Sequence, residues 1–144
     1  MHILAATDGS EAADRAVDFA ATLASGLGAT LQILNVIGVG APPQQELEEL
    51  SRQEHMTPGE FTNAMSEQIL LLASQRAKKL GMADAQLVSK IGDVATSITD
   101  TAKKGAVDVI VLGKRGLGRL PGLLLGSVSQ KLVSVAPCAV IVVP

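Results

Sequence analysis

The chain has 144 residues, a net charge of −2 and scattered basic residues, which fits one domain with a sizeable core and excludes the basic footprint of a nucleic-acid binder. Hydrophobic residues make up 47% of it but are almost all aliphatic: Trp and Tyr are absent and Phe19 and Phe61 are the aromatics, so a flat ligand would be gripped by aliphatic side chains. No apolar run approaches the roughly 18 residues of a membrane span and no charged-then-apolar leader opens the sequence, so a cytoplasmic, non-membrane protein is expected.

Short apolar runs alternate with helical patterns, the signature of an α/β fold with a doubly wound parallel sheet and helices on both faces. His2–Thr7 reads as the first strand. Ser10 then caps a helix with Ala13, Ala16, Val17, Ala20 and Leu23 on one face, stopped near Gly26 or Gly28. Thr30–Ile37 is the second strand. From Gly38 to Glu60, Pro42, Pro43, Pro58 and Gly59 interrupt a charged segment, and this stretch is expected to be a long loop acting as a lid or partner surface. A firmer helix spans roughly Glu60–Leu80, with Met65, Ile69, Leu72 and Leu80 as its core stripe and Gly81 as its stop. Gln86–Ile91 is the third strand, Val94–Lys104 a short helix, Asp108–Leu112 the fourth strand, Ser127–Ala136 the last helix and Cys138–Val143 the last strand. No internal duplication is visible, so 1–144 is expected to be a single domain.

The stretch Gly113–Ser127 carries the chemistry. It leaves a buried strand, passes five glycines and enters a helix, and it holds Lys114, Arg115 and Arg119. Glycine lets backbone approach a ligand closely, and a helix start offers free N–H groups to an anion, so these features describe a phosphate cradle. Ser127 is placed to cap the helix, with Gln130 at capping-box spacing. A Walker A loop fails because Gly113-Lys114 has no glycine five places earlier and Arg115 follows the lysine. A dinucleotide fingerprint fails because Pro121 stands where its third glycine belongs.

The pattern that fits is G-x2-G-x9-G-[ST], met by Gly113, Gly116, Gly126 and Ser127. On this motif, on Gly122–Ser129 and Ala136–Val143, and on Ile3–Ser10 and Gly92-Asp93, the chain resembles the ATP-binding branch of the universal stress protein family. The resemblance runs over the whole chain and is weak only between Val39 and Asn63. It implies a five-stranded sheet in the order 3-2-1-4-5 and a stress-response regulator that binds ATP, with Mg²⁺ carried in on the phosphates. Asp8 would take the ribose hydroxyls or the adenine edge, Ala6 and Thr7 would flank the base and Val36 would contact adenine. Gly113, Gly116, Gly126, Ser127 and Val128 would wrap the phosphates, with Lys114 and Arg115 beside them. Asn35 departs from the family, which often has His there, and Ala6 and Thr7 depart from its frequent Pro or Val. AMP or cyclic AMP would fit most of the same residues, and so would slow ATP hydrolysis without dedicated catalysis. In that strand order Ala139–Val143 is a bare apolar edge, which predicts a homodimer joined through the last strands.

Bland readings stand beside these. Asp8 also suits a turn before the Ser10 cap, the glycines suit a surface loop, and the loop cations suit solvated charges. Cys138 reads as a small core residue, and His2 and His55 as surface residues with no ligand partner at a suitable spacing. Rival enzymes on such folds lack their parts here: the first turn is Ala6–Ser10 with no nucleotidyl-transferase signature, no aromatic is free for a flavin, and no lysine ends the fifth strand for a phosphate receiver.

Overall fold

In the computed structural model, which describes residues 1–39, 42–117 and 124–144, parallel strands alternate with helices. The elements are β1 (His2–Ala6), α1 (Glu11–Leu27), β2 (Thr30–Gly38), α2 (Gln44–Gln53), α3 (Pro58–Lys79), β3 (Gln86–Gly92), α4 (Val94–Lys104), β4 (Val109–Gly113), α5 (Ser127–Val135) and β5 (Ala139–Val143). The five strands form one sheet in the order β3-β2-β1-β4-β5, every neighbouring pair parallel. A parallel pair needs a crossover, and the helices supply it while covering both faces.

Strand alternation divides the core in two. Ile3, Ala5, Leu31, Ile33 and Val111 face α1 and α3, whereas Leu4, Leu34, Ile110 and Leu112 face α4 and α5. The face of α1 is built almost wholly from alanine: Ala13, Ala16, Ala20, Ala21 and Ala24 are buried with Val17. Side chains this small let the helix lie close to the sheet. Ser10 starts it by accepting the Ala13 N–H at 3.2 Å, and Gly28, at φ 62°, ends it in the left-handed conformation. Asp93 caps α4 in the same way. Hydrogen bonds from the Thr96 hydroxyl and N–H, with Lys131 nearby, hold its carboxyl below the ordinary carboxylate range.

Two expectations are corrected. Residues 44–53 form α2 rather than part of a long loop. The Pro42-Pro43 pair is the entrance to that helix, and Leu47, Leu50 and buried Ser51 supply a narrow inner stripe in an otherwise charged segment. The face that α3 buries is Ser66, Leu70, Ala73 and Ala77, one position away from the expected stripe. Met65, Leu72 and Leu80 are 42%, 50% and 37% exposed. Small residues allow α3 to approach the sheet and α1, so the bulkier side chains flank the contact. Arg76 also joins α3 to α1, with Nε and Nη2 donating to the two carboxylate oxygens of Asp18 at 2.9 and 2.5 Å. Both side chains are more than a third exposed. Such a pair contributes about 0–1 kcal/mol.

Candidate functional site

The carboxyl ends of β1 and β4 lie side by side at the centre of the sheet, while the segments that follow them lead to α1 on one face and α5 on the other. In doubly wound sheets this is where a crevice opens. On the β1 side stand half-buried Ala6, buried Thr7 and half-buried Asp8. The Thr7 N–H donates to the Leu34 carbonyl at 2.9 Å and its Oγ1 accepts the Gly9 N–H at 3.2 Å. Gly9 has φ 80°, a conformation that strains any residue with a Cβ, and it turns the chain into α1.

Asp8 joins the two sides. Its Oδ1 accepts the Ser10 N–H at 2.9 Å, and its Oδ2 accepts the Leu117 N–H at 3.0 Å across the crevice. Gly116 makes that approach possible, because a Cβ there would collide with Asp8 Oδ2. Gly113, at the end of β4, lies so close to the first turn of α1 that a Cβ would stand 2.8 Å from Ala12 C and 2.9 Å from Ala13 N.

The loop that follows is anchored through Lys114. Its N–H donates to Val143 O at 2.6 Å, and its carbonyl accepts the Gly126 N–H at 2.8 Å and the Ser129 hydroxyl at 2.9 Å. Both ends of the glycine loop therefore meet beside β5. Arg115 is half-buried, and its Cα would lie 3.4 Å from a Cβ placed on Gly126. Arg119 lies outside the described residues, as do Gly118, Pro121 and Gly122.

Gly126, not Ser127, is the N-cap of α5, with φ −70° and ψ 164° and no side-chain bond to the helix. Gln130 donates its N–H to the Gly126 carbonyl, so the predicted Ser127–Gln130 capping box does not form. With Gly126 at the N-cap, Ser127 is already helical, and buried Ser129 closes the turn from inside, its hydroxyl within hydrogen-bond distance of the carbonyls of Lys114 and Gly126. Ser127 is left exposed as the first helical residue, where backbone N–H groups lack intrahelical acceptors. Val128, Ala6 and Val36 all pack partly buried on the α4–α5 side of the sheet.

Other candidates fall away from the crevice or take structural roles. The Cys138 thiol is half-buried and burial raises its pKa, which suits packing rather than nucleophilic chemistry. His2 lies near Gly105 O, and His55 is exposed at a helix end with φ 56°. Among the described residues no group of three or more His, Cys, Asp or Glu is arranged to hold a metal ion, and no helix is long and apolar enough to cross a membrane. Sequence reasoning missed Ser129 and the partnership of Asp8 with Leu117. The signal for Ser129 was its spacing three residues after Gly126, the position that reaches back to an N-cap.

The universal stress protein family model matches residues 1–144. Universal stress protein YxiE of Bacillus subtilis (strain 168) is 31% identical over 98% of this chain and 97% of its own length. Universal stress protein UspA from Lactobacillus plantarum has a similar structure, with a TM-score of 0.81 and 26% identity, covering 100% of this chain and 97% of that one. A universal stress protein solved in complex with cAMP matches with a TM-score of 0.75 and 28% identity, over 100% of this chain and 97% of its own.

The glycines of the loop differ in what a methyl group would meet. At Gly113 a Cβ would press on backbone that cannot yield, whereas at Gly126 it would stand 3.3 Å from Lys114 O, with φ already in a range open to alanine. Gly113→Ala is expected to cost about 1–3 kcal/mol in urea unfolding, and Gly126→Ala less than about 1 kcal/mol. Equal midpoints for the two variants would contradict this account of the β4–α1 contact.

Proposed function

The chain belongs to the universal stress protein family, and from that premise we propose that it is a regulatory protein that binds an adenine nucleotide between the β1–α1 turn and the β4–α5 loop. The observation that carries the reading is the bond between Asp8 Oδ2 and Leu117 N, which makes an acidic turn and a glycine loop two walls of one crevice. A carboxylate oxygen has lone pairs for more than one donor, so Asp8 can accept ribose hydroxyls beside its backbone partners. Ala6, Thr7 and Val36 offer the aliphatic surface an adenine needs in a chain without Trp or Tyr. Gly113, Gly116, Gly126, Ser127 and Val128 offer backbone N–H groups and the start of α5 to the phosphates, with Lys114 and Arg115 supplying charge. A relative at 28% identity that was solved with cAMP supports a nucleotide as the ligand.

ATP is favoured over AMP or cyclic AMP by the length of the loop and its cations, which suit several phosphates better than one. Mg²⁺ would arrive on those phosphates, in keeping with its habit of using few protein ligands. The regulator acts in the cytoplasm in this reading, with neither nucleic acid nor membrane as partner. It works as a homodimer: among the described residues β5 is an edge strand with one unpaired side, its Val140, Ile141, Val142 and Val143 half-buried, and pairing with a second β5 would cover it.

Nucleotide released by heating the purified protein should be identified by mass as ATP; release of AMP or cyclic AMP would favour the smaller ligand, and calorimetry showing no nucleotide binding would overturn the reading. Asp8→Ala is expected to weaken ATP and AMP alike, by about fivefold, the worth of roughly one hydrogen bond. Gly126→Ala should weaken ATP more than AMP. Turnover of ATP is expected far below the roughly 1–100 s⁻¹ of kinases, because the loop sequence from Gly113 to Ser127 contains no carboxylate or glutamine to position a nucleophile. A contaminant-free preparation at that rate would make this an enzyme. Sedimentation should give a dimer at micromolar concentration, and a monomer there would remove the β5 interface.

A further inference from the structure

Asn35 lies on β2 and is 4% exposed, on the face of the sheet that it shares with Leu31 and Ile33. An amide in an apolar layer is costly unless every polar atom finds a partner. Here each does: Nδ2 donates to the Thr7 carbonyl at 2.8 Å, and Oδ1 accepts the Ser66 hydroxyl at 2.7 Å. Ser66 Oγ in turn lies 2.7 Å from Ser89 Oγ. The chain of bonds runs from β3 through α3 and β2 to the end of β1. The paired register of β1 and β2 ends at Ala6 and Leu34, one residue before Thr7. At that point a side chain holds the carbonyl where the strand leaves the sheet.

The peptide unit that Asn35 holds is the one linking Thr7 to Asp8. Because a peptide is planar, fixing its carbonyl fixes the direction in which the Asp8 N–H and Cα leave the strand. We propose that Asn35 is a positioning residue for the nucleoside end of the site: through the Thr7 carbonyl it sets the aim of the Asp8 carboxylate toward the ribose. The proposal rests on the nucleotide-binding reading above and deepens it.

The test is Asn35→Leu, which keeps about the same volume but has no group to donate to the Thr7 carbonyl, with Asn35→Ala as a second variant should the first fail to fold. Circular dichroism and thermal melts establish that each variant is folded. Calorimetry then measures AMP and ATP binding by each variant alone and combined with Asp8→Ala. Asn35→Leu is expected to weaken AMP and ATP by the same factor, about tenfold, as for one buried hydrogen bond. In the Asp8→Ala background the same change should add less than about twofold, because residues acting through one another are non-additive. A purely structural role would give full additivity, and that result overturns the proposal, as does parental affinity in a folded Asn35→Leu or Asn35→Ala protein. If the parent binds no adenine nucleotide, the proposed function falls and the inference with it; if the parent binds and only the cycle fails, the inference falls alone.

Discussion

One carboxylate, that of Asp8, accepts backbone N–H groups from both sides of the crevice, Ser10 on its own turn and Leu117 on the loop that follows β4. Much of the local architecture is what allows that double contact. Gly116 has no Cβ to displace the oxygen, and Gly9 takes a backbone conformation that returns the chain to α1 within two residues of the carboxylate. Gly113 has only hydrogen where β4 meets the backbone of Ala12 and Ala13, so the strand end and the first turn of α1 lie in contact. The loop is pinned again at Lys114, whose peptide groups bond to Val143, Gly126 and Ser129. The Lys114 end is thus tied to β5, and the Gly126 end is tied to Lys114.

The polar groups of the molecule are distributed accordingly. Deep in the sheet the side chains are Leu, Ile, Val and Ala, and hydrogen bonding there is left to the backbone ladder. Towards the carboxyl ends of β1 and β2, Thr7, Asn35, Ser66 and Ser89 gather within one network. Among the described residues no buried side-chain polar atom lacks a partner. A satisfied polar network fixes directions that apolar packing leaves loose, and this one reaches the Thr7 carbonyl, one residue before Asp8.

The sequence made the larger units legible because their signals are local. Strand ends fell within a residue or so, and α4 had the expected bounds, since Asp93 and the Lys103-Lys104-Gly105 run mark its two ends. The strand order was not readable from periodicity and came from the family resemblance, which the sheet bears out. What was missed depends on contacts between distant residues. The inner face of α3 is Ser66, Leu70, Ala73 and Ala77, three of the four small because a close helix selects such residues, whereas a reading by hydrophobicity picks Met65 and Leu72. The segment 44–53 looked like a loop because prolines precede it and charge dominates it, yet two leucines and one serine suffice to seat it. Ser127 looked like the cap because only structure reveals that Gly126 holds the N-cap position and Ser127 is already helical. In the candidate site, residue types and spacing pointed to the glycine loop and the family resemblance pointed to Asp8, but neither pointed to the bond between them.

The alanine face of α1 bears on how this sequence can change. Ala is the smallest residue with a Cβ and the best helix former, so at Ala16, Ala20 and Ala24 no neutral neighbour exists on either side. A larger residue would push the helix off the sheet, and glycine would loosen it. Most buried positions can drift by trading volume with a neighbour, leucine for methionine or isoleucine for valine. These positions have no such currency, so variation between related chains should accumulate around this helix rather than beneath it.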